Sequence, residues 1–210
     1  MHAEDVEHGV TVPFLASVPG KVSPVSDEQL MRVVLVGDAA ALSTLVERHY
    51  GPLLGYLYRL LHGNRQLAED VAQETFLRVM GRGNYQPGRP FKPWLYAIAT
   101  NAVRDYFKSA AVRHATTQDE EMLGGMYDPA PGPEERALAA EQGGMIASAL
   151  SQLGEEYRVT LLLRFYNGLS LQEIAETLTI PLGTVKSRLS TGTHRLRALL
   201  HTMQGEEVKE

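Results

Sequence analysis

The sequence predicts an all-α protein of two small helical domains joined by a flexible acidic linker, the second domain containing a helix-turn-helix. Three observations predict it. Apolar residues recur at helical spacing through most of 26–113 and again from 134 to 200. Small polar residues stand where helices should start and glycines where they should stop. No segment alternates apolar and polar residues in the way a half-buried strand does, and no internal repeat is present. A chain of 210 residues has room for two modest cores.

Residues 1–25 mix prolines and acids without periodicity and read as a flexible extension. Ser26 opens the first helix with Gln29 completing a capping box, and Gly37 closes it. Asp38 caps the next, where Leu42, Leu45, Val46 and His49 share a face; Gly51-Pro52 should bend or restart it before Leu53. A third helix from Asn64 to Met80 presents Leu67, Val71, Phe76 and Val79 as apolar positions, with Phe76, Leu77 and Val79 expected in the core, and Gly81 ends it. The loop that follows is rich in glycine, arginine and proline, but no Gly-Lys-Ser/Thr follows it, so it is not a phosphate cradle.

A long helix then runs through FKPWLYAIATNAVRDYFKSAAVR, with Pro93 tolerable in its first turn. Leu95, Ile98, Ala99, Ala102 and Tyr106 can face a core, with Phe107 further round. Trp94, Asn101, Arg104, Asp105 and Lys108 occupy the remaining surface. Amide, guanidinium and ammonium groups beside an aromatic ring suit single-stranded or flipped bases. A solvated charged face with Trp94 in the core accounts for the same residues. Residues 115–133 form the linker, 134–201 the second domain and 202–210 a tail.

In the second domain, Glu155 to Asn167 is an apolar-rich helix ended by Gly168. Ser170 and Glu173 form another capping box, and Ile174, Ala175 and Leu178 form one face of the helix they open. Thr179-Ile180-Pro181 ends it, and a second helix begins near Leu182. Val185, Leu189, Leu196 and Leu200 point inward; Lys186, Ser187, Arg188, Ser190, Thr191 and Arg195 point outward. That is the layout of a helix-turn-helix, whose second helix enters the major groove. An ordinary helical hairpin with a basic face shares the pattern.

The net charge of −5 argues against a nucleic-acid partner until its distribution is considered. Residues 26–114 carry 11 basic against 8 acidic side chains, and 146–201 carry 6 against 4. Residues 115–145 carry 1 against 7. Both compact segments are mildly basic, and local potential governs encounter with DNA. So weak an excess binds DNA poorly unaided, which implies a helping partner. The absence of cysteine excludes disulfides and thiolate zinc sites, and the seven histidines show no recognised metal spacing. No apolar run approaches a membrane span, and residues 1–20 lack the pattern of a signal peptide, so the expected location is the cytoplasm. Neither a cofactor nor a catalytic constellation is expected.

Three motifs in this order resemble bacterial RNA polymerase sigma factors of the extracytoplasmic-function (ECF) group of the sigma-70 family: AEDVAQETFLRVM, PWLYAIATNAVRDYF, and 169–200 with PLGTVKSRL. The resemblance covers 38–113 and 149–200. It implies that Asp70, Gln73 and Glu74 grip the clamp helices of the polymerase's largest subunit, and that the flap of the second-largest subunit is a further contact. It implies that Asn101 lines a pocket for a flipped base of the minus-ten element, with Arg104, Asp105 and Lys108 nearby. The loop before that helix would shape the pocket, with Arg82, Arg89 and Lys92 on adjacent phosphates. Lys186, Ser187 and Arg188 would begin the face that reads the minus-thirty-five element.

Ser190, Thr191 and Thr193 stand where relatives can hold an aromatic and arginines, so backbone contacts and DNA shape should weigh more than bidentate base contacts. The acidic linker, with Asp119, Glu120 and Glu121, would mimic nucleic acid in the polymerase channels. A separate anti-sigma factor is a further expected partner. The alternative is a stand-alone helix-turn-helix regulator that dimerises on a palindromic operator without polymerase.

Overall fold

The computed structural model describes residues 25–81, 85–114 and 144–203, with only the backbone given for 110–114. Every regular element among the described residues is helical. The expectations for 1–24, for the linker with Asp119, Glu120 and Glu121, for Arg82, and for the tail beyond 203 lie outside the described residues.

Helix α1, Asp27–Leu35, carries the expected capping box: the Ser26 hydroxyl accepts from the Gln29 N–H, and the Ser26 N–H donates to Gln29 Oε1. Gly37 follows at φ 102°, a conformation that favours glycine, and Asp38 caps α2. Helix α2, Ala39–Leu60, runs unbroken through Pro52. No restart occurs at Gly51-Pro52. Leu45 before the proline and Leu53, Tyr56, Leu57 and Leu60 after it are all buried, and that burial outweighs the roughly 3 kcal/mol penalty of an interior proline. Helix α3, Arg65–Met80, lies between Asn64 and Gly81, as the caps require.

Helix α4 spans Phe91–His114. Its first N–H is capped from a distance: the Phe91 N–H donates to Glu28 Oε1 at 3.0 Å. That bond holds the Glu28 carboxyl below its ordinary pKa. Leu95, Ala99 and Ala102 are buried as expected, joined by Trp94, Tyr96 and Val103. Tyr106 is exposed, a correction to its expected place in the core.

The second domain starts with a short helix, α5, over residues 144–151. Helix α6, Glu155–Leu161, continues as a π-helical turn over Leu162–Tyr166, ended by Gly168 at φ 70°. Helix α7, Leu171–Leu178, has its Ser170–Glu173 capping box complete. Ser170→Ala is expected to lower stability by about 1 kcal/mol. Urea denaturation checks this; an unmoved midpoint would mean that water serves the Glu173 N–H as well as the hydroxyl does. Thr179 takes a left-handed conformation at φ 54°, and α8 spans Leu182–Met203. Gly192 is buried where α8 crosses α6: a β-carbon there would stand 3.2 Å from Tyr157 Cβ.

The two domains do not keep separate cores. Helix α4 packs on α7, and α2 packs on α6 and the π-turn. Buried residues from Leu30 to Val185 form one continuous cluster.

Candidate nucleic-acid and polymerase interface

The exposed face of α3 carries Asp70, Gln73 and Glu74, as their spacing requires. Two apolar side chains share that face. Leu77 is 58% exposed and Met80 53%, whereas Phe76 and Val79 are buried. The expected burial of Leu77 is therefore corrected: it continues a stripe from Gln73 (i, i+4, i+7) that ends at Met80. An exposed pair of large apolar residues beside carboxylates is the composition of a docking surface, with the charges setting orientation. The i+4 step from Gln73 to Leu77 was visible in the sequence, but apolarity alone argued for the core.

On α4, Asn101, Asp105 and Lys108 are exposed and follow one another along a single face. Arg104 lies beside them, half-buried, with Nε 3.6 Å from Glu155 Oε1 of α6. Trp94 does not join this surface. It is 3% exposed, with its ring 4.8 Å from Tyr85 and 5.9 Å from Phe91. The expectation that it stacks on a base is corrected, because the packed indole has no free face. It anchors the loop instead, since Tyr85 is buried against it and donates its hydroxyl to the Arg89 carbonyl at 2.6 Å. The exposed aromatics of α4 are Tyr106 and Phe107, edge to face at 5.7 Å. They stand about 100° or more round the helix from Asp105 and Lys108, on the side away from the Asn101–Asp105–Lys108 row.

One guanidinium joins the two faces. Arg78 Nε donates to Glu74 Oε1 at 2.8 Å, and its Nη1 donates to Asp105 Oδ2 at 3.4 Å. The two carboxylates raise the Arg78 pKa, so it remains charged. Asp70, Glu74, Arg78, Asp105 and Tyr106 line one shallow groove of about 340 Å³.

On α8, Lys186, Ser187, Ser190 and Thr191 are exposed and Arg188 is half-buried, with Val185 fully buried beneath. The Ser187 hydroxyl donates to the Thr184 carbonyl at 3.0 Å, which fixes its orientation until a ligand competes. Arg195 is exposed, but its guanidinium lies 4.6 Å over the Tyr157 ring, at the edge of the outward face. Thus α8 presents a short cationic start followed by small hydroxyls, carried on a rigid turn. Among the described residues no cluster has the composition of a metal site, and no helix is long and apolar enough to cross a membrane.

The family model for sigma-70 region 2 matches residues 45–113, and that for sigma-70 region 4 matches 144–192. The chain is 34% identical over 170 residues to the RNA polymerase sigma-H factor of Pseudomonas aeruginosa, covering 78% of this chain and 88% of that protein. It is 33% identical over 182 residues to the ECF RNA polymerase sigma factor SigW of Bacillus subtilis, covering 82% and 96%. Among solved structures, CnrH in complex with the cytosolic domain of CnrY matches with a TM-score of 0.63 and 25% identity, over 84% of this chain and 97% of that one. CnrH is an RNA polymerase sigma factor of Cupriavidus metallidurans.

Proposed function

Because the chain belongs to the extracytoplasmic-function group of the sigma-70 family, we propose a division of labour among its three surfaces. As a family member it binds core RNA polymerase and directs promoter recognition and transcription initiation, with no catalysis of its own. On α3, Asp70, Gln73 and Glu74, with Leu77 and Met80, take the clamp helices of the largest polymerase subunit. On α4, Asn101, Arg104, Asp105 and Lys108 capture the opened minus-ten strand. On α8, Lys186, Ser187, Arg188, Ser190 and Thr191, with Arg195 at the edge, hold the minus-thirty-five duplex.

The exposed row Asn101–Asp105–Lys108 carries this reading. Extruding a base costs a few kcal/mol, and an amide that offers both donors and an acceptor returns part of it at the base edge. The second domain contacts the flap of the second-largest subunit, and the chain acts in the cytoplasm, where its polymerase is. CnrH is held by the cytosolic domain of CnrY; a separate anti-sigma polypeptide that covers the exposed faces of α3 and α4 fits this chain equally.

Promoter-directed transcription with purified core enzyme tests the assignment. Asn101→Ala should slow open-complex formation by about tenfold or more, with association to core unchanged. Asp70, Gln73 and Glu74 changed together to alanine should weaken association first. If both variants fail at the same step, the division is wrong. Lys186→Ala and Arg188→Ala should weaken upstream duplex binding and flatten its salt dependence by about one unit of slope for each phosphate no longer neutralised.

A further inference from the structure

Helix α4 begins without a local cap. The residue before Phe91 is Pro90, whose ring offers no side-chain acceptor, and Pro93 lacks an N–H. Helix α1 supplies the missing acceptor: Glu28 Oε1 takes the Phe91 N–H at 3.0 Å, across 63 positions. Glu28 also lies in the first turn of α1, so its carboxylate stands at the positive ends of two helices. Helix α1 is itself fixed to α2. Arg48 Nη1 donates to Asp27 Oδ1 at 3.0 Å and to the Val25 carbonyl at 2.7 Å, and His49 Nε2 lies 2.7 Å from Asp27 Oδ2. Leu30, Met31 and Val34 of α1 are buried.

The segment that leads into α4 is built stiffly. Across Gln86-Pro87-Gly88-Arg89 the Arg89 N–H donates to the Gln86 carbonyl at 3.0 Å, with proline second and glycine third at φ 95°. That order and that sign of φ are those of a type II turn. The Tyr85 hydroxyl holds the Arg89 carbonyl, and the Tyr85 ring lies 4.8 Å from Trp94 and 6.4 Å from Phe91. The His49 ring of α2 meets Phe91 at 5.1 Å. Residues 85–90 therefore form one unit, and the Glu28 carboxylate holds the point where that unit joins α4. Phe91 stands about 15 Å along α4 from Asn101, at a rise of about 1.5 Å per residue, so a captured strand of about five nucleotides is long enough to reach both.

We propose that Glu28 is a positioning residue for promoter opening: through the Phe91 N–H it sets the seat of residues 85–90, the segment that leads into the strand-capturing face of α4. The proposal rests on the reading of α4 as the minus-ten surface. Glu28 touches no base and acts only through the loop. A backbone N–H bound to a carboxylate is held about twice as strongly as one bound to a neutral acceptor. A loop seated in advance pays no ordering cost when the strand arrives, whereas a loosened one pays it during capture. The α3 face is carried by another helix, so docking on core is spared.

The chain has a single tryptophan, Trp94, so its emission reports the seat of the loop in the full chain without DNA. Glu28→Ala should shift that emission to the red and make it easier to quench with acrylamide. Glu28→Gln keeps an acceptor at the same reach and should restore most of the parent signal. With core enzyme, Glu28→Ala should slow open-complex formation about tenfold and leave core affinity unchanged, and Glu28→Gln should recover most of that loss. Circular dichroism shows that both variants stay helical at the assay temperature. Unmoved Trp94 emission in Glu28→Ala overturns the proposal, as does displaced emission with normal opening. A fall in core affinity as large as the fall in opening also overturns it, because it marks a general loss of structure. Asn101→Ala is measured alongside. Normal opening by that variant would sink the minus-ten reading of α4 separately, while Glu28 stands or falls on its own two readouts.

Discussion

Trp94→Ala is expected to destabilise the N-terminal domain by about 3–5 kcal/mol, the range for an aromatic truncated in a packed core. Trp94 touches Tyr85 and Phe91 on either side, and the Tyr85 hydroxyl ties the loop to Arg89. Removing the indole therefore opens a cavity and frees the loop that leads into α4. Trp94→Phe keeps the ring contacts and should lose about half as much. Urea denaturation followed by circular dichroism measures both. A base-stacking role makes the opposite forecast: stability within about 1 kcal/mol of the parent, with minus-ten opening lost. A Trp94→Ala chain that melts normally and fails only at promoters would restore the indole to the DNA surface.

Short-range chemistry made most of the fold legible in the sequence. A capping box needs two residues three apart, so Ser26 with Gln29 and Ser170 with Glu173 announced their helices, and the structure completes both. Asn64 and Gly81 bounded α3 in the same way. Pro52 misled as a point of restart because a local penalty was read without the buried leucines on either side that outweigh it. Leu77 and Tyr106 misled for a different reason. Helical spacing states which residues share a face, but not whether that face meets a core, a partner or water. The seam between the domains was beyond reach: Lys92 and Asn167 meet across 75 positions, and neither residue type announces a partner. The exposure of the polar row of α4 and of the outward face of α8 was legible, because polar residues at helical spacing mark the side turned away from the core. The position of Trp94 was not, since an aromatic suits a core and a stacking platform equally.

Arg158 carries the second large expectation, and nothing in its sequence context singles it out. The side chain is 6% exposed and its hydrogen bonds go to backbone carbonyls rather than to a carboxylate. Nη1 donates to the carbonyls of Leu150, Ser151 and Leu153, at 3.4, 3.1 and 3.4 Å. They lie at the C-terminal end of α5 and in the turn after it, where a positive charge also meets the negative end of the helix dipole; the Leu150 carbonyl accepts from the Leu153 N–H as well. Burial pulls the guanidinium pKa below its ordinary value while Glu155 opposes the shift, so the charge is kept against a desolvation penalty. Arg158→Ala leaves the Ser151 and Leu153 carbonyls without this donor and a cavity beneath α5, an expected loss of about 3 kcal/mol. Arg158→Met fills most of that volume and restores no donor, so the difference between the two variants separates packing from capping. If capping dominates, Met is nearly as harmful as Ala, and amide exchange accelerates first over 144–153. Full recovery by Met would instead make Arg158 a space-filler, and α5 would need another explanation for staying docked.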